Sequence, residues 1–122
     1  MAKHNEIGKI GEDIARSFLM KHDFHIVEKN LRTKYGETDI IATKDNIYHF
    51  IEVKSLKVSD FNNMRSLSIR PEDNFTEDKQ NKCRVSAQIY MQRFNKDVLY
   101  QIDLACVYIV EEIRQGKVYF FQ

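Results

Sequence analysis

The sequence predicts an α/β domain in which a mixed β-sheet is flanked by helices, in the order α-β-β-β-α-β-β. Two observations lead to this prediction. The chain has 122 residues, which is the usual length of one domain and is enough to bury a core without disulfides. Apolar residues recur at helical spacing in two segments and as short strand-like runs in five others, with turn residues between them. We therefore expect residues 1–122 to form a single domain.

The first helix is predicted over Glu6 to His22. Apolar residues recur along this segment at intervals of three and four and form a stripe that would face the core, consisting of Ile7, Ile10, Ile14 and Phe18. Glu12 lies beside this stripe, on a line of mostly small residues. Its carboxylate can therefore reach past the helix toward whatever lies beneath it.

Three strands are predicted next, separated by two turns. Lys34, Tyr35 and Gly36 form the first turn. Asp45 and Asn46 tolerate positive φ, so the second turn is predicted to be a two-residue hairpin loop. The strands run over Phe24 to Leu31, Thr38 to Thr43 and Ile47 to Lys54.

The second half of the chain begins with a segment of irregular pattern. Ser55 to Asn74 is polar and lacks regular spacing, so we expect it to form a long mobile loop. A second helix is predicted over Thr76 to Phe94, with one apolar face. Two strands follow, over Val98 to Val110 and Val118 to Phe121, with a turn at Gly116 between them. These strands complete the predicted sheet.

The composition indicates a soluble cytoplasmic protein and excludes several other classes. The longest apolar run, Leu104 to Val110, is too short to cross a bilayer, and the first residues contain no apolar signal-peptide core. Cys83 and Cys106 are predicted to be reduced core thiols, and the histidines have no zinc-ligand spacing with them. The net charge is +1, so any surface that binds nucleic acid must come from the distribution of charge rather than from its total.

The predicted hairpin places three charged side chains on one face of the sheet. Counting outward from the two-residue loop, Asp39 stands opposite Glu52. Directly opposed residues have Cβ atoms roughly 4.5–5.5 Å apart. Lys54 lies two residues beyond Glu52, so it projects from the same face, roughly 7 Å further along the strand.

Two opposed carboxylates and a nearby lysine are the groups that hydrolysis of a phosphodiester needs. The carboxylates would repel each other unless a cation lies between them. Their oxygens suit Mg²⁺ or Mn²⁺, with water and a substrate phosphate in the other coordination positions. Lys54 would hold or deprotonate the attacking water and offset charge on the phosphate. The alternative is that all three are solvated strand residues, but their strongly apolar neighbours are not typical of a solvated face.

Seven short motifs, which span nearly the whole chain, bear on the function. They are Gly11-Glu12, Asn30-Leu31-Arg32, Gly36-Glu37-Thr38-Asp39-Ile40-Ile41, Phe50-Ile51-Glu52-Val53-Lys54, Thr76-Glu77-Asp78-Lys79, Ala87-Gln88-Ile89-Tyr90 and Gln101-Ile102-Asp103-Leu104. In this order they resemble the YraN-like family of small proteins. That family is similar to the restriction-endonuclease-like, or PD-(D/E)xK, nucleases, and among them to archaeal Holliday-junction resolvases.

The resemblance implies a restriction-endonuclease-like fold and a Mg²⁺- or Mn²⁺-dependent endonuclease that acts on DNA, with branched or damaged DNA as candidate substrates. Carried over to this sequence, it makes Asp39 and Glu52 metal ligands and Lys54 the catalytic lysine. Glu12 matches the helix glutamate that completes such a site directly or through water. Glu37 matches a Gly-Glu-x-Asp motif, and a ligand role and a surface role are equally open for it.

Basic residues around the predicted site are candidates for contact with backbone phosphates, namely Lys57, Arg65, Arg70, Lys79, Lys82 and Arg84. Two functions other than a nuclease remain open. One is a non-catalytic nucleic-acid-binding or scaffold protein that retains the fold, and the other is a module that docks a protein partner through residues 55–75. The presence of both carboxylates and the lysine favours the enzyme. The oligomeric state is also open, a homodimer included.

Overall fold

The computed structural model describes residues 2–61, 75–110 and 115–121, without the side chains of residues 2–5. The chain forms a five-stranded mixed sheet with one helix packed on each face. The elements are α1 (Ala2–Lys21), β1 (His25–Thr33), β2 (Gly36–Lys44), β3 (Ile47–Lys57), α2 (Glu77–Met91), β4 (Leu99–Val110) and β5 (Gln115–Phe121). The predicted order of helices and strands is confirmed.

The strands lie side by side in the order in which they occur along the chain. Neighbouring strands are antiparallel, except that β3 and β4 are parallel. A parallel pair needs a crossover connection, and α2 lies in the connection between β3 and β4. None of the described helices is long and apolar enough to cross a membrane.

The two helices cover opposite faces of the sheet, which we name the α1 face and the α2 face. On the α1 face, helix residues Ala15 and Leu19 are fully buried against Ile40 of β2 and Ile51 of β3. On the α2 face, Ala87 and Tyr90 pack against the neighbouring strand residues Ile41 and Phe50. Because side chains alternate along a strand, each strand supplies apolar residues to both cores.

The core-facing line of α1 differs from the predicted stripe. Ile10 is 37% exposed, so its assignment to the stripe is wrong, whereas Gly11, Ala15 and Leu19 are buried. A Cβ atom at Gly11 would lie 1.7 Å from Ser55 Oγ on β3. The helix therefore sits on the sheet along its small residues, because only a residue without a side chain leaves room for this contact.

The mobile loop was predicted to begin at Ser55, and this start is wrong because β3 extends beyond it. Residues 55–57 continue β3 and pair with β4, and beyond them Val58 N donates a hydrogen bond to Ile109 O at 2.8 Å. Leu56 and Val58 lie in an apolar cluster on the α2 face, and this burial offsets the charged Lys57 between them. The prediction of a mobile loop for residues 62–74 lies outside the described residues.

The β2–β3 hairpin has the predicted two-residue loop. Asp45 and Asn46 both have positive φ, at 53° and 66°, which is the conformation of a type I′ turn. The paired residues run from Lys44 opposite Ile47 to Ile40 opposite Ile51. The predicted register of the hairpin is therefore confirmed.

Gly116 was predicted as a turn, and this is wrong because Gly116 lies within β5, opposite Ile109. A Cβ atom at Gly116 would lie 2.7 Å from Ile14 Cδ1. The glycine therefore allows close approach of α1 to the edge of the sheet rather than a change of chain direction.

The α1 face also buries a polar cluster. His49 Nδ1 lies 2.5 Å from Asp103 Oδ2, and the two side chains are 5% and 0% exposed. Gln101 Nε2 donates a hydrogen bond to Asp103 Oδ1 at 2.6 Å, and the ring of Phe24 packs edge-on against the imidazole. A buried carboxylate is costly unless it is hydrogen-bonded, and here both of its oxygens have partners. These residues therefore belong to the core.

Candidate active site

The backbone ladder between β2 and β3 stops after the pair of Ile40 and Ile51. At the next position Asp39 Oδ2 accepts a hydrogen bond from Val53 N at 2.7 Å. A side-chain carboxylate thus bonds the amide where a backbone carbonyl would continue an ordinary ladder. This bond holds the half-buried Asp39 carboxylate at the point where the two strands cease to pair.

Glu52 lies beside Asp39 in an environment that favours its neutral form. Burial, a hydrogen bond with Asp39 and the negative charge of Asp39 raise the pKa of Glu52 to about 8. Lys54 acts in the opposite direction, and its Nζ lies 3.7 Å from Glu52 Oε2. The raised pKa therefore favours the protonated form of Glu52 at neutral pH.

The raised pKa of Glu52 bears on whether the pair suits a metal ion. A divalent cation neutralises the same repulsion as a proton, so it can take the place of a proton between two carboxylates. Within the described part of the chain no three metal-binding side chains form a ready-made cluster. Two carboxylates with open positions for water and phosphate fit Mg²⁺ or Mn²⁺ better than a metal that needs a full set of protein ligands.

Glu12 approaches Asp39 from the other side of the sheet. It lies on α1, whereas Glu52 and Lys54 project toward the α2 face. Burial and the negative charge of Asp39 raise the pKa of Glu12, while Arg16 and Lys29 lower it. The charge of Asp39 therefore acts on the carboxyl of Glu12, and the role of Glu12 in completing the site stays a prediction.

A cleft of about 470 Å³ opens over the carboxylate pair on the α2 face. It is lined by Gly36, Glu37, Asp39, Glu52, Val53, Lys54, Lys79 and Lys82. The last two residues come from α2, whose N-terminus is capped by the Thr76 side chain. The cleft therefore combines the carboxyl groups of Glu37, Asp39 and Glu52 with three lysines.

Several predicted residues lie at the rim of this cleft or outside it. Glu37 lines the cleft but is exposed, and its Oε2 lies 3.9 Å from Arg32 Nε, so neither of its predicted roles is settled. Lys57 lies at the end of β3, and Arg84 contacts Asn81 on the exposed side of α2. Neither Lys57 nor Arg84 lines the cleft. Arg65 and Arg70 fall outside the described residues.

The buried thiol of Cys83 lies close to the acidic pair without serving as a nucleophile. Burial and the charges of Glu52 and Asp39 raise the pKa of Cys83 to about 11. A nucleophilic cysteine needs the opposite shift, toward the thiolate. The predicted role of Cys83 as a reduced core thiol therefore agrees with its surroundings.

A second cleft, which was not predicted from the sequence, lies between α1 and β1 and includes Glu12 in its lining. We name it the α1–β1 cleft; it is lined by Gly8, Lys9, Glu12, Asp13, Arg16, Lys29 and Asn30. Asn30 has a φ of 54° although it lies inside β1, and the flanking pairs place it opposite Asp39. The feature of the sequence that could have indicated the unusual backbone at Asn30 is its residue type, because asparagine is among the few residues that adopt positive φ readily.

Thr38, the residue before Asp39, was also missed. It is 3% exposed. Among the described residues its Oγ1 is the one buried side-chain polar atom that has no hydrogen-bond partner. An unpaired buried hydroxyl is unusual and coincides here with the carboxylate site. Nothing in the sequence distinguished Thr38 from an ordinary strand threonine.

The model described as "Uncharacterised protein family UPF0102" matches residues 11–107 of this chain. A UPF0102 protein of Campylobacter fetus is 38% identical over 112 residues, which cover 92% of this chain and 87% of the relative. A UPF0102 protein of Aliarcobacter butzleri is 43% identical over 103 residues, which cover 84% and 86%. The matched segments contain both carboxylates and the lysine of the cleft.

Proposed function

This chain belongs to the uncharacterised protein family UPF0102, and we propose that it is a Mg²⁺- or Mn²⁺-dependent nuclease that hydrolyses phosphodiester bonds in DNA. The observation that carries the proposal is the pair of Asp39 and Glu52, which lie in hydrogen-bond contact beside Lys54 in one cleft. A structural ion pair alone would not require two adjacent half-buried carboxyl groups, because their proximity destabilises the fold unless a proton or a cation neutralises them.

The architecture agrees with this proposal. A five-stranded mixed sheet carries the two carboxylates on neighbouring strands and has a helix on each face. We propose that this is the restriction-endonuclease-like fold that the sequence motifs imply. Because one fold supports many functions, the proposal depends on the chemistry of the site rather than on the architecture.

Each residue of the site would have its own role in the reaction. A divalent cation held by Asp39 and Glu52 would polarise the phosphate and make a bound water more acidic. The Val53 amide keeps the Asp39 carboxylate in place, so this ligand needs little reorganisation when the cation binds. Lys54, on the same face as Glu52, is available to orient the attacking water and to offset the negative charge that develops on the phosphate.

The cleft also contains groups that suit a polyanionic substrate. Lys79 and Lys82 line it from α2, and Lys82 Nζ has only an exposed ion pair with Asp78 at 3.4 Å. Exposed ion pairs contribute little, so Lys82 can change partner to a phosphate. Such contacts position a nucleic acid without reading its sequence. We therefore propose a structure-dependent specificity, with branched or damaged DNA as the substrate.

The test compares cleavage and binding in one variant, Lys54→Ala. Cleavage of linear, nicked, flapped and four-way DNA is measured with Mg²⁺ or Mn²⁺, and binding is measured with Ca²⁺. We expect cleavage to fall by about 10²–10⁴-fold, because the charge of Lys54 acts mainly in the transition state. Affinity should change little, because one phosphate contact is a small part of a backbone interface.

Lys96→Ala is the matched control, since Lys96 is an exposed lysine in the turn after α2 and does not line the cleft. It should cleave at the wild-type rate. Wild-type protein that cuts nothing in the panel, while still binding it, would favour a non-catalytic nucleic-acid-binding or scaffold protein. Cleavage by Lys54→Ala at the wild-type rate would remove Lys54 from the mechanism.

A further inference from the structure

We infer that the α1–β1 cleft binds the phosphate backbone of the nucleic acid beside the bond that is cut, so that the substrate contacts the protein on both sides of the carboxylate pair. This inference rests on the proposed function, because it identifies where the substrate continues after it leaves the active-site cleft. Of the residues that line this cleft, only Glu12 had a role predicted from the sequence, and none was predicted to bind phosphate.

The cleft has two cations that are free to bind a ligand. Lys9 and Lys29 are both exposed, and neither has an ion-pair partner in the part of the chain that the structure describes. Arg16 differs from them because its guanidinium contacts the Asp13 carboxylate. The two unpaired lysines come from different elements, α1 and β1, so they lie on opposite walls of the cleft.

The α1–β1 cleft and the active-site cleft are lined by residues of two neighbouring strands, β1 and β2. Glu12 lines the cleft, and its carboxyl responds to the charges of both Asp39 and Lys29. Asn30 also lines the cleft, and the pairs on either side place it opposite Asp39. Asn30 of one cleft and Asp39 of the other therefore lie opposite each other on neighbouring strands.

The shape of the cleft suits a backbone rather than a side chain. Gly8 belongs to its wall, and a Cβ atom at Gly8 would meet nothing within 4 Å. The helix backbone is therefore accessible to a ligand at this point. Asn30, exposed and in the left-handed conformation, presents an amide group that donates hydrogen bonds to anionic oxygens.

The positions of the lysines around the two clefts indicate which ligand the α1–β1 cleft binds. Lys79 and Lys82 flank the carboxylate pair on the α2 side, and Lys9 and Lys29 flank it on the α1 side. A single phosphate can occupy only one of these positions, whereas a nucleic-acid strand carries a phosphate at each nucleotide and can occupy both. We therefore assign the cleft to the sugar–phosphate backbone.

The experiment measures binding of four-way and linear duplex DNA in Ca²⁺ at several salt concentrations. The double variant Lys9→Gln/Lys29→Gln should bind about tenfold more weakly than wild type at moderate salt, and its slope of log affinity against log salt should be shallower by about 2, because each phosphate contact contributes about 0.9. The control is Lys21→Gln/Lys96→Gln, which removes the same charge at the other end of the sheet and should keep the wild-type slope.

A second variant, Gly8→Glu, leaves both lysines in place. The open space at Gly8 accepts a side chain without disturbing the fold, and the new carboxylate should repel a phosphate in the cleft. The inference would be overturned if Lys9→Gln/Lys29→Gln had the same salt slope as the control, or if Gly8→Glu bound DNA with wild-type affinity. It would also be overturned if the wild-type protein bound no DNA at low salt. Because binding is measured without cleavage, a shallower slope in a protein that cuts nothing would remove the proposed nuclease and keep the cleft.

Discussion

Replacing Glu52 by glutamine tests whether the carboxylate pair stores a proton in the metal-free protein. Burial raises the pKa of Glu52 from 4.5 to about 8. Between these values the folded protein binds one proton more than the unfolded chain, so the free energy of unfolding must fall as the pH rises. Glutamine mimics the protonated carboxyl at every pH, so the variant lacks this decline.

The magnitude follows from the two pKa values. The interval from 4.5 to about 8, at about 1.4 kcal/mol for each pH unit, corresponds to a loss of about 5 kcal/mol at most. The Glu52 side chain is still 17% exposed, and water at that surface stabilises the charged form. We therefore expect about half, ~2–3 kcal/mol, as the advantage that Glu52→Gln gains over wild type between pH 5 and pH 9. This is about 10 °C in melting temperature for a domain of this size.

The assay is urea unfolding at pH 5, 7 and 9 in the presence of a chelator. Glu37→Gln is the matched control, because Glu37 lines the same cleft but is exposed. Its unfolding free energy should stay within about 0.5 kcal/mol of wild type. Wild type and Glu52→Gln with the same pH dependence would show that the pair does not hold a proton, and the argument for a cation in its place would then fail.

Mn²⁺ should reverse the order of stability of wild type and Glu52→Gln. The cation stabilises the folded state only where it binds, so wild type should gain stability with increasing Mn²⁺ and Glu52→Gln should not. Binding must displace the proton of Glu52, and the affinity of wild type for Mn²⁺ should therefore rise with pH up to about 8. Calorimetry in two buffers of different ionisation enthalpy measures both the affinity and the released proton.

Two further predictions concern the framework of the site. Gly8→Ala should stabilise the protein by about 0.5–1 kcal/mol, because α1 has open space there. Gly11→Ala should instead destabilise it by about 1–3 kcal/mol, because its Cβ would overlap a β3 side chain. If urea unfolding gave equal effects for the two variants, the packing of α1 described above would be wrong. Asn46→Val should lower the free energy of unfolding by about 1–2 kcal/mol, since a β-branched residue resists positive φ. Asn46→Gly should be tolerated, because glycine adopts positive φ readily. Thermal melts of the two variants measure the difference.

The site was more predictable than the packing around it. Asp39 and Glu52 were assigned to one face because Asp45 and Asn46 define a two-residue loop, and such a loop determines the register on both sides. This inference needs only local information. The hydrogen bond from the Val53 amide to Asp39 was not foreseeable, because it depends on where the ladder stops.

The errors arose where distant segments decide the structure. Ser55 to Lys57 have a polar pattern, and they form a strand only because β4, which is distant in sequence, pairs with them. Gly116 has the residue type of a turn, and only the approach of Ile14 from α1 explains its place in a strand. Local propensity is a weak prior in both cases, since tertiary contacts override it.

The parallel pairing of β3 with β4 also has a kinetic consequence. Ile47 pairs with Leu99 and Lys57 with Ile109, so every contact of this pair joins residues about fifty positions apart. Such contacts form late, because the entropy of closing the intervening chain is lost before the pairing compensates for it. During synthesis the β2–β3 hairpin emerges first, with Glu52 and Lys54 on a strand whose second edge has no partner. We therefore expect the site residues to be assembled early but to become rigid last, when β4 closes the sheet.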